Sequence, residues 1–228
     1  MLGHIKGMEG GFTPVCTVWA ASLVGTSMLF NQFPDWKKTL FLHWPSVLRK
    51  KEYTRLVTNF GAFGGTFDMT AMIDLYFLCQ SGMRIEACRS GRFLLALILL
   101  GAGLLYVDYN KYLFAERTPW LSHRLILSLV CLESWENPWH KTQMPPLPLP
   151  PFPSFLMPFL LAAQNCMLFG TPWKMMVAPI LVSIPVHALL MIFDELRFQV
   201  AYLMSGGAAT RSTKEERNNI LLGAGGGG

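Results

Sequence analysis

Charge is what this sequence lacks most. Lys, Arg, Asp and Glu supply 14% of its 228 residues, while 52% are apolar; an average soluble domain is about a quarter charged. A soluble fold would struggle to cover itself with so few polar side chains. Glycine is missing from the whole interval between Gly103 and Gly170. No cluster of metal-ligating residues exists either. His4, His43, His123, His140 and His187 are dispersed, and Cys16, Cys79, Cys88, Cys131 and Cys166 are an odd number lying mostly within or beside apolar stretches. They are packing thiols on that pattern, with no metal site and no cofactor. The opening MLGHIKGMEGG has no basic region feeding a cleavable apolar segment, so the first apolar run is expected to stay as an anchor. The basic residues behind the net charge of +5 are scattered through loops rather than gathered on a stripe, which argues against nucleic-acid binding.

What is present is a series of apolar runs near the length of a membrane-crossing helix, about 20 residues. Pro14 to Phe33 is uncharged, the stretch between Arg55 and Arg84 holds only Asp68 and Asp74, and Phe93 to Val107 is again uncharged. Trp120 to Trp135 is weaker because Arg124 sits inside it and must reach an interface or a partner. Phe152 to Gly170 and Met175 to Phe193 complete the set. The expected architecture is therefore an all-α membrane protein of six transmembrane helices. Pro158, Pro179 and Pro185 do not veto the last two, since neighbouring helices can satisfy the backbone that proline frees.

The connections fall into distinct types. The first loop, 34–55, carries Trp36, Trp44 and Tyr53 among Lys37, Lys38, Arg49, Lys50 and Lys51, a mixture suited to the headgroup level. The run 144–153 (MPPLPLPPFP) is expected to be a stiff extended connector. Residues 1–13 form an N-terminal segment, 14–197 the six-helix domain, and 198–228 a polar, Gly-rich tail with no means to fold alone. Positive-inside counting divides the basic residues almost evenly and does not set the orientation.

Within the second run, Asp74 lies between apolar residues, where an ionised carboxylate costs at least about 2.5 kcal/mol. The candidates to compensate it are His187, Arg124 or a polar face that admits substrate; the bland alternative is an acid protonated or hydrogen-bonded inside the bundle. Gly61, Gly64, Gly65, Gly101 and Gly103 suit close helix crossings.

YTRLVTNFGAFGGTF (Tyr53–Phe67) followed by DLYFLCQSGMRIE (Asp74–Glu86) resembles the Derlin family of rhomboid-like proteins. Arg55, Leu56, Thr58, Asn59, Phe60, Phe63, Gly64 and Glu86 occupy the places of that family's second-helix motif. Fainter similarity continues through PVCTVW, through SLVCLESWENP with Trp135, through PSFLMPFLLA, and to His187 on the last helix. Thr54 stands where the family has Trp, Val186 where it has Gly, and the terminal ILLGAGGGG lacks the aromatic and basic partners of the family's unfoldase-recruiting box.

The resemblance implies a catalytically inactive rhomboid-like bundle. An active rhomboid protease needs Gly-x-Ser before a sixth-helix His, and Ser122 and Ser128 lie in the glycine-free interval. The implied role is interaction with membrane lipids and other integral membrane proteins, in export of misfolded proteins for degradation at the endoplasmic reticulum membrane. The missing Trp, Gly and terminal box favour the alternative: a structural supernumerary subunit of a large organellar complex, for example a respiratory assembly of the mitochondrial inner membrane. A small transporter has no paired charges or broken inverted repeats to recommend it.

Overall fold

The computed structural model describes residues 13–63, 69–88, 90–110, 120–143, 150–169 and 172–204. Gly64, the N-terminal segment before Thr13, most of the Pro-rich connector and the tail beyond Met204 lie outside them. The chain is mostly helical. Helix α1 spans Pro14–Gln32 and opens on proline, whose missing N–H costs nothing in a first turn. Three short helices follow: α2 (Trp36–Leu40), α3 (Trp44–Lys50) and α4 (Thr54–Thr58). Next come α5 (Met69–Phe77), a π-helical turn (Leu78–Gly82) and α6 (Met83–Cys88), then α7 (Ser90–Asn110) and α8 (Ser122–Glu136). The chain closes with a 3-10 turn (Ser154–Leu156), α9 (Met157–Phe169) and α10 (Trp173–Met204).

Three helices are long and apolar enough to cross a membrane: Pro14–Gln32, Gly91–Asn110 and Met176–Val200. Only 22%, 33% and 39% of their respective apolar windows are buried, so these three form the outside of the molecule. The other expected spans are helical but short or interrupted. Helix α8 has 15 residues and α9 has 13, and the second run is broken by the π turn.

Helix α8 is the axis. Ser122, every residue from Arg124 to Leu132, and Ser134 are buried, because α10, α7, α9, α5 and the π turn surround it. A helix enclosed on every side has no lipid-facing stripe, which is why its hydropathy is the weakest signal in the sequence. Ion pairs fix the directions. Arg92 meets Glu136 while Asp108 meets Arg124, so α7 runs antiparallel to α8. Arg92 also meets Asp194, and Gly103 faces Val182, so α7 is antiparallel to α10 as well. A Cβ on Gly103 would fall 2.6 Å from Val182 Cγ1, so the α7–α10 crossing requires glycine there. Gly82, at the end of the π turn, packs closely on α1: a Cβ there would lie 3.0 Å from Cys16 Sγ, tighter than ordinary contact.

Two boundaries differ from the sequence expectation. The connector's ends are extended but paired, with β1 (Lys141–Thr142) antiparallel to β2 (Phe152–Pro153). Helix α10 passes through Pro179 and Pro185 and continues beyond Arg197 to Met204, because the polar residues after Phe193 are good helix formers.

Candidate interaction site

The segment from Asn59 to Phe63 folds inward between α1, α7 and α8. Backbone that leaves helical geometry inside an apolar bundle must find donors for its carbonyls. Three consecutive carbonyls do so. Phe60 O accepts the Trp19 indole N–H at 2.8 Å, Gly61 O the Thr26 hydroxyl at 2.9 Å, and Ala62 O the Ser122 hydroxyl at 2.8 Å. Asn59, fully buried, donates its amide to the carbonyls of Arg55 and Leu56 and so closes the end of α4. Thr58 donates to Leu40 O, and Arg55 donates to Phe41 O while pairing with Glu52. The motif residues Arg55, Thr58, Asn59 and Phe60 thus hold the inward segment in place; the ring of Phe60 lies over Gly101 of α7.

Glu86 supplies a second anchor. Its carboxylate accepts the backbone N–H groups of Val15 and Cys16, both at 2.8 Å. Those are open donors of the first turn of α1, and a carboxylate there also suits the positive end of the helix dipole. The helix has no side-chain cap of its own, so a residue 70 positions away provides one.

Charged side chains gather at the two ends of α8. At its start, His123 Nδ1 lies 2.6 Å from Asp74, and Arg124 lies 3.6 Å from Asp108, which also accepts the Trp44 indole N–H at 2.8 Å. At its end, Glu133 accepts from Ser81 at 2.6 Å and Arg84 at 2.8 Å, while Arg92 joins Glu136 and Asp194 at 2.9 and 3.0 Å. These signs oppose the helix dipole, which favours acids at the start and bases at the end by about 0.3–1 kcal/mol each. Breaking a buried pair costs about 3–5 kcal/mol. Pairing to neighbouring helices therefore outweighs the dipole, and these charges act as interhelical fasteners.

Asp74 is thus partnered by His123, which dispersal alone sets aside, and not by His187. His187 sits on α10, half-buried, and its Nδ1 has no hydrogen-bond partner among the described residues. Trp135 donates to Ser183 on α10 at 3.1 Å. Of the aromatic residues in the first loop, Trp36 and Tyr53 are exposed, whereas Trp44 turns inward to Asp108. Opposite charges within apolar runs, Asp74 and Asp108 against His123 and Arg124, were the signal available in the sequence, since each must find a partner.

One feature is left open. Between α1, α4 and α7 lies a groove of about 750 Å³, walled by Val18, Trp19, Leu56, Phe60, Ile98 and Ala102 among others. Its wall hydroxyl, Ser22, donates to Trp19 O at 2.8 Å and offers little to a polar ligand. Among the described residues no group of three or more His, Cys, Asp or Glu could hold a metal ion. Compared with known proteins, the chain matches no family model, no curated protein and no solved structure.

Proposed function

We propose that the chain is a six-span, rhomboid-like bundle that works by binding other membrane proteins and lipids and carries out no reaction. The observation that supports this most is the use made of Ser122, Ser128 and His187, the residues a rhomboid-type site would draw on: they are committed to structure or kept apart. Ser122 donates to Ala62 O, and Ser128 donates to Arg124 O and Pro179 O. His123 is held by Asp74. Pro179 precedes His187 by eight positions on α10, about 12 Å along the helix, so Ser128 is not set against that imidazole. Handling of misfolded proteins at the endoplasmic reticulum membrane is the role that the resemblance to Derlins adds. Reconstitution with helical membrane substrates is the test of the missing reaction. No cleavage is expected, and cleavage abolished by Ser128→Ala would overturn the reading.

A second reading, a fixed subunit of a large organellar complex, is favoured by the end of α10. From Trp173 to Asp194 the helix covers about 32 Å, close to the ~30 Å of a hydrocarbon core. It then continues for about 15 Å beyond that charge, with Leu196 and Val200 more than half exposed. An apolar helical end outside the core suits a protein partner. Native electrophoresis of gently solubilised membranes separates the two. Migration as a monomer or dimer supports the quality-control role, and comigration with one abundant complex of fixed stoichiometry supports the subunit role.

A further inference from the structure

We propose that the groove between α1, α4 and α7 is a site for one anionic phospholipid, with acyl chain against Val18, Phe60, Ile98 and Ala102 and headgroup at Lys50 and Lys51. The inference rests on the membrane-embedded reading above. The wall selects hydrocarbon, because its hydroxyl, on Ser22, already donates to the chain's own backbone. Left empty, an apolar groove of this size forfeits dispersion contacts along its lining, and within a bilayer the material at hand to restore them is a lipid tail or another helix.

Length decides between those two. The groove's wall on α7 runs from Leu97 to Leu105, about 12 Å along the helix, which is less than half of the ~30 Å core. A partner helix crossing the membrane would be seated for a minor part of its length. A flexible chain entering from one leaflet is seated throughout.

The headgroup is inferred from the basic residues that precede α4 in the chain. Helix α3 ends in Arg49 and Lys50, followed by Lys51, and all three are exposed. Lys51 adopts a left-handed backbone, φ 59°, to turn the chain from α3 into α4. That turn places Lys51 five positions ahead of the wall residue Leu56 in the chain, with exposed Tyr53 and the Glu52–Arg55 pair between them. Six residues separate Lys51 from Val57, so the cations lie within about 20 Å of the wall even at full extension, and nearer because α4 is helical. Arg55, by contrast, is taken up by Glu52 and Phe41 O.

The test uses the full chain in phosphatidylcholine vesicles containing a little phosphatidylserine with a photoreactive group midway along its acyl chain. Labelled peptides are identified by mass spectrometry, and flotation with thermal melting reports insertion and folding of each variant. Labelling of the α1 and α7 walls is expected, displaced by unlabelled phosphatidylserine and not by phosphatidylcholine. Ala102→Trp should abolish it, with Val18→Trp as a second filling variant, while labelling at outward Leu94 and Tyr106 persists. Lys50→Gln with Lys51→Gln should lower the preference for the anionic lipid by up to about 30-fold, at roughly fivefold per lysine. Equal wall labelling by a phosphatidylcholine probe, or labelling insensitive to both filling variants, overturns the proposal while leaving the membrane reading intact. A chain that does not float with the vesicles overturns both.

Discussion

The two sides of α7 carry the same kind of residue and different commitments. Toward α8 and α10, Phe93, Ala96, Leu100 and Leu104 are buried, and Arg92 and Asp108 pair at either end of that face. On the other side Leu94, Ile98 and Tyr106 are exposed, and Ile98 with Ala102 borders the groove. Both faces are apolar, so hydrophobicity does not distinguish inside from outside; the placement of charge does. Within a membrane lipid is as apolar as leucine, and helix association rests on close packing and polar contacts. The paired side of α7 has both, in Gly103 and its ion pairs, whereas the groove side has close packing at Gly101 under the Phe60 ring and no ion pair among the described residues.

The comparison breaks most severely at Arg124. Arg124→Leu leaves Asp108 buried with Trp44 as its one side-chain donor among the described residues, and should cost about 3–5 kcal/mol. The expected outcome is loss of monodisperse protein after detergent extraction, with recovery when Asp108→Leu is added. Next comes Glu86→Ala, which removes two charge-assisted bonds to the start of α1 and should cost about 2–3 kcal/mol. Glu86→Gln, which retains an acceptor, should lose less, and the difference is read as a shift in thermal melting. Trp19→Phe keeps the aromatic bulk at the groove but orphans Phe60 O, for a loss of about 1–2 kcal/mol by the same measurement. Asp74→Asn preserves an acceptor for His123 and should cost less than about 1 kcal/mol. Asp74→Lys, which places a cation beside His123, should lower the amount of inserted protein. The last effect has the opposite sign. Lys51→Gly relieves the left-handed backbone and should stabilise by about 1 kcal/mol while removing a charge from the proposed headgroup site. Stability and lipid preference would then move apart.

Hydropathy revealed α1, α7 and α10 because their residues face outward and must be apolar to do so. It nearly concealed α8, whose enclosure lets it carry His123, Arg124, Glu133 and Glu136 at its ends. The need for Arg124 to find a partner was legible from the cost of isolated charge in hydrocarbon. That the partner is Asp108 was not, since the choice depends on α7 lying antiparallel to α8. The π turn at Leu78–Gly82 has no hydropathy signature, being one extra residue per turn in an apolar run. Glu86 stood out only through the resemblance. Its capping of α1 is a contact across 70 positions that no local pattern encodes. The groove was equally invisible, because its walls read simply as parts of spans.

The membrane topology decides whether α8, short and charged at both ends, crosses the bilayer, as α1, α7 and α10 are long and apolar enough to do. Six crossings place the start of α1 and the end of α10 on the same side, whereas the three long apolar helices alone would place them on opposite sides. Epitope tags ahead of Met1 and after Gly228, probed by protease in sealed membrane vesicles before and after permeabilisation, report this directly. Equal protection, or equal exposure, of both tags is the expected result; one tag protected and the other cleaved would contradict the six-helix bundle.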